Sequence, residues 1–447
     1  MTETGAPPRR FYTADWGWVT QAGKAELQPR PYIEVAADGT IVAIESRPPP
    51  PGTSIVRDLG PVLILPGFVN AHSHAFQRLI RGATGRRAST DPSSFWSWRS
   101  AMYEAAASLD PEALFGATCA CYREMLRAGI TCVGEFHYIH HQRNGHRYDN
   151  PNELGQCIIS AAADTGIRLT LLEVYYSRAG HNLAALPEQL RFCDGSVPAY
   201  LARIDRLREL AEHGAFTLGL APHSVRATTA EELGELSVYA RQHDLVVHAH
   251  VSEQPLENAQ CHAEYGKSPT QVFADAGMLL RPRSFTAVHA VHINADDRRL
   301  LADQSVCACP TTEADLGDGI VPASDLLACG VNLCLGTDSN AVIDLVQEAR
   351  LLEMGERLRL GQRLCLQGAD GRVAPILLAA ATTGGATSLG RRDLGQLAVA
   401  APFDAVCFDL QHVSLVDVPR PWVCDSLMLH GSAAAVTQVY VGGEQRV

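Results

Sequence analysis

Short apolar runs alternate with longer amphipathic stretches along most of the chain, and β-like segments bracket this alternation at both ends. Near the N-terminus, Tyr32-Ile33-Glu34-Val35 and Ile41-Val42-Ala43-Ile44 flank Asp38-Gly39, a dipeptide that favours a hairpin between alternating apolar positions. Asp404 to Asp409 and Val436 to Val441, the latter followed by Gly442-Gly443, have the same character. Two such groups predict one small sheet domain drawn from both termini, with Pro48 to Pro51 as an exposed turn or spacer.

Between them the pattern becomes one of helices separated by strands. Asp110-Pro111 reads as an N-cap followed by proline at the first helical position, and Gly129 closes that helix. Thr229 with Glu232 forms a capping box for a helix reaching His243, and Gly166, Gly214, Gly277 and Gly330 mark other helix ends. The apolar runs lie near 62–72, 131–135, 168–174, 216–221, 245–250, 285–289, 306–309 and 332–336. Eight strands separated by helices predict an α/β fold of the (β/α)8 TIM-like barrel type.

Such barrels carry their chemistry at the C-terminal strand ends. Here those ends bring, in order, His72 and His74, Glu135 to Tyr138, Tyr175 to Ser177, His223 to Arg226, His248 to Glu253, His289 to His292, Pro310 to Glu313 and Gly336 to Ser339. A lone His-x-His pair is more often two ordinary polar residues than a ligand pair. On a strand, however, residues two apart share a face, so both imidazoles reach one ion. Histidines and carboxylates at nearly every later strand end favour the metal reading.

Composition narrows the class. The chain has 447 residues, 46% of them hydrophobic and 19% charged, as in a soluble enzyme. Its net charge of -12 argues against a nucleic-acid or anionic-membrane partner. Thirteen cysteines without a C-x-x-C pair predict reduced thiols in a cytoplasmic protein. Neither a secretory signal at Met1 to Arg10 nor an apolar run of membrane-spanning length is expected.

The run Pro66 to His74, His250-x-x-Glu253, His289, and Asp338 within Gly-Thr-Asp-Ser together resemble the amidohydrolase superfamily, in its deaminase branch, over essentially the whole chain. The resemblance implies a β-sandwich beside the barrel, with residues 1–65 and 395–447 as its two parts and 66–394 as the metal-dependent barrel. It also implies one Zn²⁺ held by His72, His74, His250 and Asp338. Three imidazoles and a carboxylate suit that ion and leave a place for water of lowered pKa, although the same set admits Fe²⁺ or Mn²⁺. Binuclear relatives carry a carbamylated lysine on a mid-barrel strand. Lys24 and Lys267 are the only lysines, and neither is expected on any strand, which favours a single ion. Glu253 is the candidate general acid/base, His289 a stabiliser of the hydroxide or oxyanion, and Asp338 both ligand and proton acceptor.

Gln77, Arg78, Arg99, Tyr138, His223 and Arg226 are expected near the site, and arginine forks match carboxylates, so a small anionic amino-acid-derived substrate is expected. The longer motifs His74 to Arg78, Phe95 to Arg99, Glu135 to His141, His223 to Arg226 and Thr312 to Ile320 closely resemble the formimidoylglutamate deiminases of histidine degradation. That resemblance implies hydrolysis of N-formimino-L-glutamate to N-formyl-L-glutamate and ammonia. By carry-over, Gln77 meets the formimino end, while Arg99, Tyr138, His223 and Arg226 hold the two carboxylates. Relatives also imply a homodimer. The chain departs from the family pattern at Ala314-Asp315, where Ala-Asn is usual, and around the third strand end, Tyr175 to His181.

Other features read as structural. Trp96 and Trp98 are expected to pack over the barrel mouth, Cys307 and Cys309 to fill core, and Arg81, Arg86 and Arg87 to form a solvated loop. His137, His140 and His141 read as positioning or loop residues rather than a second metal cluster. Two competing functions remain. A purine-type or other amine deaminase suits the arginine-bearing strand ends poorly. An inactive barrel used for binding or assembly would not be expected to keep all four ligands with Glu253 and His289.

Overall fold

Eight parallel strands pair in chain order: β1 (Phe68–Ser73), β2 (Ile130–His137), β3 (Arg168–Tyr175), β4 (Thr217–Pro222), β5 (Val247–Val251), β6 (Phe285–His289), β7 (Ser305–Ala308) and β8 (Asn332–Leu335). This computed structural model describes residues 9–50, 54–83, 85, 94–214 and 216–447, with the backbone alone for 94–97. β1 and β2 are buried along their whole length, as strands covered on both faces must be. The ring closes between β1 and the turn after β8. The His74 N–H donates to the Asp338 carbonyl at 2.9 Å, and the Asp338 N–H donates to the His72 carbonyl at 3.0 Å. The barrel is therefore joined at the level of the histidine pair.

The run 62–72, expected as one strand, is two. Val62–Pro66 pairs antiparallel with Ala405–Asp409 in a terminal sheet, and β1 begins two residues later. Gly67 is the joint. A Cβ there would lie 2.2 Å from Thr131 Oγ1, while its N–H donates to the Asp404 carbonyl at 2.9 Å. No side chain fits where the chain passes from one sheet to the other.

Helices follow the cap signals. In α2 (Pro111–Arg127), which follows α1 (Ser94–Ser108), the Asp110 carboxylate accepts the Ala113 N–H at 2.9 Å, and Leu114, Thr118, Tyr122 and Met125 form the buried stripe. Thr229 and Glu232 make the expected reciprocal cap.

The termini build two further sheets. Six strands unite Trp16–Gln21, Lys24–Pro29 and Val62–Pro66 with Ala405–Asp409, Val436–Val441 and Glu444–Gln445. Four more comprise Arg9–Thr13, Tyr32–Val35, Ile41–Glu45 and Ser54–Asp58, the middle two forming the Asp38-Gly39 hairpin. Both sheets contribute to one core in which Tyr12 stacks on Phe403 at 4.6 Å and meets Tyr440 edge-on at 5.5 Å. One expectation is corrected here: Lys24 does open a strand, Lys24–Pro29. It is exposed and lies in the terminal sheet, so it bears on no barrel chemistry.

Candidate active site

The four predicted ligands converge. His72 Nε2 lies 3.1 Å from His74 Nε2 and 3.2 Å from His250 Nε2, and Asp338 Oδ1 lies 3.3 and 3.2 Å from the first two. Four ligand atoms about 2.0–2.1 Å from one ion at tetrahedral angles stand roughly 3.3 Å apart. The tautomers also fit. His74 Nδ1–H donates to the Phe136 carbonyl at 2.9 Å and His250 Nδ1–H to the His223 carbonyl at 3.1 Å, so both Nε2 atoms present lone pairs to the centre. Burial pushes His72 down to about 3, which keeps it neutral. Burial alone would raise Asp338, but its contacts with His72 and His74 hold it well below the usual carboxylate range. Lone pairs and a carboxylate facing one another in a dry barrel call for a cation.

His289 ends β6 beside this group. Its Nδ1–H donates to Glu313 at 3.3 Å, and its Nε2 lies 3.8 Å from Glu253 and 3.9 Å from Asp338 Oδ2. Burial opposes charge on this ring, yet the Glu313 hydrogen bond and the neighbouring carboxylates raise it to about 10; a bound dication would pull that down. His289 and Asp338 both adopt left-handed backbone, φ 70° and 43°, strain of about 1–3 kcal/mol each that the surrounding barrel must hold.

Above the centre opens a cleft. It is lined by Gln77, Arg99, Tyr138, His223, Arg226 and Glu253, with His74, His250, His289 and Asp338 at its floor, while His72 is fully buried. The Gln77 Nε2–H donates to the Tyr138 hydroxyl at 2.8 Å, leaving Gln77 Oε1 buried without a donor among the described residues. Arg226 donates to Glu253 at 2.8 Å, and Glu257 accepts the Glu253 N–H at 3.1 Å. Burial and the nearby Arg226 push His223 well below its ordinary value, so it is a neutral ring.

With this geometry the comparisons with known proteins agree. The amidohydrolase family model matches residues 63–446. The chain belongs to the amidohydrolase family. It is therefore a hydrolase, and this amidohydrolase is 39% identical to the formimidoylglutamate deiminase of Pseudomonas aeruginosa over 417 residues, 92% of this chain and 89% of that protein. An amidohydrolase from Brucella melitensis superposes with TM-score 0.88 at 32% identity, covering 98% of this chain and 94% of its own. An adenosine deaminase from Xanthomonas campestris with bound zinc gives 0.79 at 25%, covering 98% and 93%. No helix among the described residues is long and apolar enough to cross a membrane.

Some residues of this amidohydrolase lie elsewhere than expected. Arg78 and Arg81 both pair with Glu124 of α2, at 2.7 and 2.8 Å, and neither lines the cleft, so they are not free cations. Arg86 and Arg87 lie outside the described residues, as does the Trp96 side chain, whereas Trp98 lines the cleft. Asp315 is exposed and does not line the cleft, but Tyr176 and Ala179 of the altered third strand end do. His140 and His141 lie 3.5 Å from Glu173 and Asp194, carboxylates that Arg203 bridges. His137, His140 and Glu173 are close enough to hold an ion by distance alone, yet the guanidinium already neutralises Glu173. Cys307 and Cys309 are buried with Cys334 in the barrel core.

Asn340 was not singled out by any motif. Its Nδ2 donates to Ser73 Oγ at 3.1 Å and to the His74 carbonyl at 3.0 Å, and its Oδ1 accepts from Thr337 Oγ1 at 2.7 Å. Asn70 in turn donates to Thr337 Oγ1 at 2.7 Å. This polar seam ties β1 to the Asp338 turn. A signal existed in the Asx residue two places beyond Asp338, but its partners on β1, Ser73 and the His74 carbonyl, lie some 266 residues away in sequence.

Proposed function

We propose that this amidohydrolase hydrolyses N-formimino-L-glutamate to N-formyl-L-glutamate and ammonia. The observation that carries this reading is the pairing, within one cleft, of two guanidinium groups with the unfilled acceptor Gln77 Oε1. An amidine carries N–H donors that fill such an acceptor, and a dicarboxylate satisfies two arginines. A neutral aromatic base carries no pair of carboxylates to match two guanidinium groups.

His72, His74, His250 and Asp338 would hold a single divalent ion, zinc by donor type, which supplies Lewis acidity and a water of lowered pKa. Gln77, held by Tyr138, receives the amidine N–H and sets the formimino carbon over the floor of the cleft. Arg99, Tyr138, His223 and Arg226 bind the carboxylates. Glu253 takes a proton from the attacking water and delivers it to the nitrogen that leaves. The C–O bond forms as C=N becomes a C–N single bond, that bond then breaks as the carbonyl forms, and the second proton of the water completes ammonia. His289, oriented by Glu313, donates to the oxygen as charge grows on it, and Asp338 Oδ2 accepts a proton from the water. Arg226 has donors enough for Glu253 and a substrate carboxylate together.

The test is ammonia release by metal-loaded protein offered N-formimino-L-glutamate, its aspartate analogue, guanine and adenosine. Turnover of the first is expected. Turnover of a purine with none of the amidine would replace this reading by a base deaminase, and inertness of a fully metallated protein towards every substrate would favour a binding role.

A further inference from the structure

Resting on that reading, a hydroxyl pair in the cleft extends it to residues that have no role above. Tyr103 comes from α1 and Tyr176 follows β3, and both line the cleft. Between them stands Gln189, fully buried on the short helix Pro187–Phe192. Gln189 Oε1 accepts the Leu186 N–H at 2.8 Å, which fixes the orientation of the amide. Its Nε2 then donates to both phenols, at 2.8 Å to Tyr103 and 2.8 Å to Tyr176. Arg99 Nε–H also donates to the Tyr103 hydroxyl, at 2.7 Å.

A phenol oxygen offers two acceptor positions and one proton. On Tyr103 both acceptor positions are filled, by Gln189 and Arg99, so the Tyr176 proton has no acceptor there. The Tyr176 proton itself then finds no acceptor in this group and is left for the cleft. The ring cannot swing away, since it packs edge-on against His223 at 4.9 Å and Phe192 at 5.9 Å. Burial pushes the Tyr176 phenol above its ordinary value, so it remains a donor at neutral pH. A fixed donor in a cleft that also holds two guanidinium groups suits an anion.

We propose that the Tyr176 hydroxyl binds one carboxylate of a linear dicarboxylate substrate, with Gln189 and Tyr103 as positioning residues that turn its proton into the cleft. Gln189 acts only through the phenols. Its replacement by Glu keeps the shape and the Leu186 contact but offers an acceptor where the donor was, which recaptures the Tyr176 proton.

The experiment compares metal-loaded wild type with Tyr176→Phe, Gln189→Glu and Tyr103→Phe, measuring kinetics on N-formimino-L-glutamate and calorimetric affinity for glutarate, a dicarboxylate without the amidine. A hydrogen bond to a charged group corresponds to roughly ten- to a hundredfold in affinity. Tyr176→Phe and Gln189→Glu should raise KM and weaken glutarate by about that factor, with kcat kept within about threefold, and Tyr103→Phe should shift both the same way by less. Unchanged KM and glutarate affinity in Tyr176→Phe overturns the proposal, as does a loss confined to kcat. If Gln189→Glu does not fold, Tyr176→Phe decides alone. Wild type that fails on N-formimino-L-glutamate while Tyr176→Phe still weakens glutarate would refute the substrate and keep the anchor; wild type that binds no glutarate would overturn the anchor.

Discussion

Replacing Asn340 should loosen the seam that closes the barrel, and with it the metal centre. Asn340→Ala removes three buried hydrogen bonds, to Ser73, His74 and Thr337, although the His74 carbonyl keeps the Gln77 N–H and Thr337 Oγ1 keeps the Asn70 amide. At about 1 kcal/mol for each bond, the loss is about 3 kcal/mol. Asn340 also has φ 55°, a left-handed conformation that asparagine tolerates and alanine does not, adding roughly 1 kcal/mol. Asn340→Gly removes the same bonds without that strain, so it should be the milder variant by the same roughly 1 kcal/mol. Because the seam sets His74 against Asp338, zinc affinity should drop by about ten- to a hundredfold. Urea unfolding of the metal-free protein reads the first effect, and competition with a chromophoric chelator reads the second. A stability change below about 1 kcal/mol together with unaltered zinc affinity would refute the reasoning.

Glu253→Ala should keep its metal while turnover falls about 10²- to 10⁴-fold, the range of general acid–base catalysis; full turnover at equal metal content would remove Glu253 from that role. Gly67→Ala drives a Cβ to 2.2 Å from Thr131 Oγ1, so it should unfold several degrees lower in a thermal melt, and Thr131→Ser should recover part of the loss by removing the methyl that lies 2.4 Å away. His248 is held down to about 4 by burial, with its Nε2–H on the Ser388 carbonyl at 2.9 Å. A depressed histidine favours the fold above the unfolded pKa, near 6.5. As pH falls from there towards 4 the unfolded chain gains a proton that the fold refuses, costing roughly 1.4 kcal/mol per pH unit. His248→Gln should flatten the stability profile over that window by one proton, and an unchanged slope would show that the ring already titrates freely.

Much of the fold is legible before any coordinate. Capping pairs such as Asp110 with Pro111 and Thr229 with Glu232 bound helices, and apolar runs of strand length lie between them, because both signals are local in energy. The break at Gly67 was hidden in the apolar pattern, since Val62 to Val69 is evenly apolar and only the resemblance placed a boundary at 65/66; the approach of Thr131 and the pairing with Ala405–Asp409 are what divide the run. Lys24 escaped for a related reason, since an exposed edge strand needs no apolar alternation.

The chain by itself specified which residue types arrive at the strand ends. Successive βα units bring every C-terminal end to one rim, so His72, His74, His250, His289 and Asp338 were bound to meet once eight strands were counted. Tertiary structure alone decided how they are held and what surrounds them. Asn340 reaches His74 across 266 residues, Glu313 reaches His289 across 24, and Gln189 joins Tyr103 to Tyr176 from a turn with no periodic pattern. Such contacts gain their strength from desolvation, and desolvation depends on what packs around a group rather than on its neighbours in the chain.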